Sequence, residues 1–156
     1  MLEDYWTALE SEALKNVTTY EEAAAVAISI LTRMNETEKR TVQVCGPMST
    51  GGLGSLALNM ERFERAVSRA QFQGEVLVFN QMPFQTAIIR ISNFKEGDPY
   101  DMGILEIFYR LIFESGLLHG VLFLDDWESS VGARWERETA AKLNMIIEDY
   151  PREWLW

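Results

Sequence analysis

Three observations predict an α/β fold with a mainly parallel sheet of four or five strands. Short apolar or β-branched runs, TVQVCG, EVLVFN, GVLFLD and MIIEDY, recur along the chain. A segment with helical spacing separates each from the next, and the links are short. That order places consecutive strands side by side, with crossover helices covering both faces of the sheet. At 156 residues the chain fits one domain. We divide it into an N-terminal helical extension (1–40), a core (41–148) and an aromatic tail (149–156).

Residues 1–18 have no clear period, and Trp6, Leu9 and Leu14 suit an irregular or helical arm. Thr19 with Glu22 forms a capping-box pattern that opens YEEAAAVAISILTRMNE, a helix of about four turns. TVQVCG is the first strand, ended by Gly46-Pro47. The glycine-rich loop Gly46 to Gly54 leads into LALNMERFERAVSRAQFQG, with Leu56, Met60, Phe63, Val67 and Ala70 near helical spacing and Gly74 as its stop. EVLVFN is a second strand ending at Asn80. AIIRI is a strand or a short helix, and Glu96-Gly97-Asp98-Pro99 is a turn. MGILEIFYRLIFESG is an amphipathic helix stopped by Gly116. GVLFLD, the helix that carries Glu136 and runs through AAKLN, and the strand MIIEDY complete the pattern.

Composition limits the partners. Hydrophobic residues make up 47% and aromatics 12%, which argues for a folded globule. A net charge of −10 and no Lys/Arg cluster argue against duplex nucleic acid and anionic membranes. The lone cysteine, Cys45, precludes an internal disulfide and is expected to be a buried, inert thiol. No apolar run approaches the ~20 residues of a membrane span, and MLEDYWTALE lacks the order of a signal peptide. The expectation is a soluble cytoplasmic protein.

In an open parallel sheet, the loops after the strands open on one edge, where ligands bind. The loop after TVQVCG brings Ser49, Thr50 and three glycines there. EVLVFN brings Asn80, and VLFLDDW brings Asp125, Asp126, Trp127, Ser129, Ser130 and Glu136. The glycine loop suits an anion, because glycines bring backbone N–H groups close and the next helix adds its positive end. It lacks the Gly-Lys-Ser/Thr ending of a Walker A loop and a registered GxGxxG, so an ordinary connection stays open. Ser130 is placed to cap the helix. By composition alone Glu136 fits a solvated helix residue paired with Arg134 or Arg137 as well as it fits a site.

Taken in order, VQVCGPMSTGG, NMERFERA, GEVLVFN and LFLDDWESSVGARWE resemble the nucleoside 2-deoxyribosyltransferase-like superfamily, over about residues 41–148. The Ser-x-Gly-x-x-x-Glu spacing at Ser130, Gly132 and Glu136 is similar to that of the related 2′-deoxynucleoside 5′-phosphate N-hydrolases. The resemblance implies a flavodoxin-like, Rossmann-type three-layer sandwich. It implies a nucleoside or nucleotide substrate and either cleavage of the N-glycosidic bond or deoxyribosyl transfer. Glu136 would be the nucleophile at C1′ and Asp101 the second acid. Gly46, Pro47, Met48, Ser49, Gly51 and Gly52 would line the sugar or phosphate side, Ser130 and the Gly132 amide would hold a 5′-phosphate, and Asn80 would sit near the base. It implies a homo-oligomer and no cofactor.

The chain departs from the pattern at Asp125-Asp126, where near relatives carry Pro-Gly. It also departs at Gln43 and Ser49, which match a tyrosine and an arginine of the hydrolases. Two other functions stay open: a non-catalytic nucleotide-binding module, and a structural or interaction protein using the tryptophan-rich tail. His119 is expected to be structural or exposed. Asp125, Asp126 and Glu136 lack further ligands at recognisable spacing, so no metal is expected. Trp135, Trp154 and Trp156 are assigned to packing or a subunit contact.

Overall fold

The computed structural model describes residues 5–93 and 100–155. The turn expected at residues 96–99 and the terminal Trp156 lie outside the described residues. Four parallel strands form one sheet in the order β2-β1-β3-β4. They are β1 (Thr41–Cys45), β2 (Leu77–Val78), β3 (Gly120–Phe123) and β4 (Ile146–Asp149). Val42 aligns with Val78 on one side and Gly120 on the other, and Phe123 aligns with Asp149. The expected α/β fold is present, with the lower of the two strand numbers.

The sheet is shorter than the apolar runs suggested. EVLVFN contributes only Leu77 and Val78 to β2, although Phe79 still donates its N–H to Val42 O at 2.9 Å. Beyond Phe79 the chain turns away, with the Asn80 side chain accepting from Met82 N. AIIRI is helical, within α4 (Gln85–Ser92), led by a 3₁₀ turn at Met82–Phe84. The arm at the N-terminus is α1 (Ala8–Asn16), opened by a reciprocal capping box between Thr7 and Glu10. At the start of α2 (Tyr20–Met34) Thr19 caps Glu22 N, but Glu22 answers Thr18 and the Thr19 hydroxyl, so the reciprocal half is replaced.

Strand alternation sorts the core into two layers. Val42, Val44, Leu122 and Leu124 face α3 (Leu56–Gln73) with Phe63, Ala66, Val67, Ala70 and Tyr150. Cys45, Val121 and Phe123 face the other layer, packed with Ala23, Ala27, Ile30 and Leu31 of α2 and with Phe84, Phe108 and Ile112. α2 therefore closes the larger core. Burying an aromatic or aliphatic side chain of this size stabilises by about 1.5–3 kcal/mol.

The helix before β3 is unusual. Ile104–Tyr109 is π-helical and continues as α5 (Arg110–Glu114). α6 (Val131–Lys142) follows β3 and turns Ala133, Glu136 and Ala140 inward on one stripe. His119 at the foot of the sheet accepts the Thr41 N–H on Nδ1 at 2.8 Å, a structural role. Trp135 packs on Phe113 and Trp154 on Tyr150. No helix among the described residues is long and apolar enough to cross a membrane.

Candidate active site

The strand order fixes where a site can form. The chain passes from β1 outward to β2, then returns across β1 to β3, so the sheet's direction of growth reverses between β1 and β3. The loops leaving these two strands diverge to α3 and α6 on opposite faces and leave a crevice at the carboxyl edge. A cavity of about 320 Å³ lies there. Its wall takes Gly46, Met48 and Ser49 from the loop after β1, and Ser130, Gly132 and Glu136 from the start of α6. Leu56, Ile88, Ile89, Ile104 and Leu105 supply an apolar side, while Gln85, Tyr100, Asp101 and Tyr109 add polar groups.

Glu136 is 7% exposed, against the solvated position that composition alone allowed. Its Oε2 accepts a 2.6 Å hydrogen bond from Gln43 Nε2. Gln43 sits mid-strand in β1, fully buried, and alternation puts it on the same face as Cys45. Burial pushes the Glu136 carboxyl up to about 8, with the Cys45 and Gln43 hydrogen bonds pulling the other way. Burial and the neighbouring Glu136 likewise push the Cys45 thiol and the Tyr100 and Tyr109 phenols up. Near neutrality Glu136 is thus largely protonated, a carboxyl poised to gain or lose its proton in the working range.

Asp101, the expected second acid, does line the cavity but is held on both oxygens. Tyr20 OH donates to Oδ2 at 2.6 Å and Gly103 N to Oδ1 at 2.9 Å. These bonds tie α2 to the start of the π-helical stretch.

The glycine loop is clamped to the neighbouring loop. Thr50 Oγ1 accepts from Val131 N at 3.0 Å, and Ser129 Oγ from Gly52 N at 2.8 Å. Asn59 closes the loop from below, accepting from Leu53 N and donating to Met48 O and Gly51 O. Gly51, at φ +67°, tolerates no side chain, since a Cβ would stand 2.1 Å from Ser129 O. Ser130 caps α6 as expected, accepting from Ala133 N at 3.1 Å.

Of the residues expected to serve a ligand, Gly46, Met48, Ser49, Asp101, Ser130, Gly132 and Glu136 converge on this cavity. Pro47, Gly51, Gly52, Asn80 and Trp127 do not line it. Asn80 borders a separate groove with Trp6 and Pro83, because β2 ends early. Trp127 packs edge-on to Phe123 and under the Arg137 guanidinium. The Asp125-Asp126 pair is neutralised locally: Arg62 grips both oxygens of Asp126 at 2.9 Å, and Arg152 lies 3.3 Å from Asp125. No cluster of three or more metal-ligating side chains occurs among the described residues.

Gln43 was noted only as a departure from the family pattern, and Gln85, Tyr100 and Tyr109 were missed. Gln43 had a signal, being a polar residue centred in an apolar strand that is buried on both faces. The other three reach the cavity through tertiary packing alone. Comparison of the chain with family models, curated proteins and solved structures found no match in any of the three.

Proposed function

We propose that this protein acts on the N-glycosidic bond of a nucleoside or nucleotide, by hydrolysis or deoxyribosyl transfer, with Glu136 as the nucleophile. The observation that carries this is the buried Glu136 carboxyl, oriented by Gln43 on the wall of a cavity at the sheet's switch point. The order of motifs seen in the sequence supports the same reading. Ionised Glu136 attacks C1′, and the C1′–N bond breaks with its electron pair leaving on the base, which takes up a proton. Water or a second base then attacks C1′ of the glycosyl ester and releases Glu136. Gln43 stabilises the carboxylate with its N–H and fixes which oxygen it occupies.

The test is incubation with deoxynucleosides and their 5′-monophosphates, with chromatographic detection of free base. Release that disappears in Glu136→Gln supports the proposal; no release from any substrate across pH 6–9 defeats it. A non-catalytic nucleoside-binding module is the second reading. It is favoured by Asp101, whose two oxygens are already engaged by Tyr20 and Gly103. It predicts ligand-dependent thermal stabilisation without turnover.

A further inference from the structure

We propose that the groove between α1 and α4 is a separate ligand site, for a small elongated acid with a ring at one end and a carboxylate at the other. The groove holds about 730 Å³, within the range of small-molecule pockets. Among the described residues it shares no wall residue with the cavity that holds Glu136. Its two helices run side by side in the same sense. Trp6, just before α1, packs on Phe84, just before α4, at 5.3 Å. Arg90, near the end of α4, donates to Leu14 O and Val17 O at the end of α1. α1 gives the groove Ala8, Ser11 and Lys15, and α4 gives Thr86, Ala87 and Arg90. Spacings of three and four residues put each set on one helix face. The α1 wall lies outside residues 41–148, so the family resemblance implies nothing here.

Ala8, Ser11, Thr86 and Ala87 are too small to meet across the gap, which keeps the trough open where close packing is the rule. Its two ends differ in chemistry. At one, Trp6 and Pro83 offer apolar faces suited to a ring. At the other, Lys15 and Arg90 are the charged side chains among the described residues of the wall. Arg90 spends Nη2 on the two carbonyls of α1 and, among the described residues, has no carboxylate at ion-pair distance. Lys15 lies 3.5 Å from Glu12, but both side chains are well exposed, so that pair is weak and a ligand carboxylate displaces it at small cost. From Ala8 to Lys15 the helix rises about 10 Å. That length sets the span between ring and carboxylate.

Calorimetric titration at pH 7 with phenylbutyrate and its primary amide tests this, with backbone amide NMR shifts to locate the bound probe. The acid is expected to bind at least about tenfold tighter than the amide (tenfold corresponds to about 1.4 kcal/mol). The largest shifts should fall at Ser11 and Thr86. Ser11→Phe fills the trough from an exposed position and should abolish binding. Arg90→Met should erase the difference between acid and amide. Because Arg90 also holds the end of α1, the exposed Lys15→Gln repeats the charge test without that contact and should narrow the difference. Equal binding of acid and amide overturns the proposal. So does binding that survives Ser11→Phe, a shift pattern centred on Gly46 and Gly132, or no binding of either probe at millimolar concentration. None of these results bears on the glycosidic reading, which is tested by base release.

Discussion

Two buried glutamates, Glu10 and Glu136, are exposed to the same extent, 7%, yet their proton affinities are driven in opposite directions. Glu10 receives Arg33 Nη1 and Nη2 at 2.9 Å each, Ser29 Oγ, and the Thr7 N–H and hydroxyl. Those donors outweigh burial and lower the carboxyl to about 2. Glu136 has Gln43 and Cys45 and, among the described residues, no counter-ion at salt-bridge distance, so burial prevails and the group rises to about 8. Burial alone does not mark a functional carboxylate; burial without compensation at a cavity does. The Arg33–Glu10 pair fastens α1 to α2, whereas Glu136 is kept costly to ionise at the wall of the cavity.

The widest separation of the two should come from Glu136→Gln. Turnover is expected to fall by about 10³-fold or more, since a carboxamide is no nucleophile. The rate of the parent protein should climb with pH through about 8, as the nucleophile ionises; a rate that falls over that range would recast Glu136 as the acid. Stability should move the other way. A folded-state value raised from 4.5 to about 8 gives stability that is complete below 4.5 and lost as pH rises through 8. Glu136→Gln should remove that loss, gaining on the order of 4 kcal/mol at pH 9 and little at pH 5, by urea denaturation.

Arg33→Met tests the other pole. The lowered Glu10 gives stability present above pH 4.5 and lost as pH falls through about 2. The variant should therefore melt several degrees lower at pH 7, with the difference shrinking towards pH 2. Gln43→Met should move the Glu136 titration, followed by carboxyl ¹³C NMR, to higher pH and reduce turnover about tenfold. An unmoved titration would deny Gln43 its orienting role. Ser130→Ala should have the smallest effect, about 1 kcal/mol of stability from the lost cap, with the Glu136 titration unchanged.

The strands, their parallel order and the cap at Ser130 were readable because each follows from local pattern: apolar runs, short links, a serine before helical spacing. Glu136 stood out through the family resemblance, while composition alone fitted a solvated helix residue as well. What decides its state is the stripe it shares with Ala133 and Ala140, and that stripe faces inward only because α6 packs on β3. The early end of β2 was not legible, since strand pairing depends on a neighbour whose length the run VLVFN does not encode. Asp101 lines the cavity, but its bonds to Tyr20 and Gly103 join positions 81 and 2 residues apart, and the first is invisible to local reasoning.

The clamp between the two loops makes the site observable from the backbone. Val131 N–H and Gly52 N–H each end on a hydroxyl of the opposite loop. Neither amide can exchange with solvent unless the loops part. Their hydrogen-exchange rates are thus two independent clocks on one event, the separation of the β1 and β3 loops over the cavity. Matched rates would mark the loops as a single opening unit, and slowing of both by a bound nucleoside would time how long the crevice stays shut.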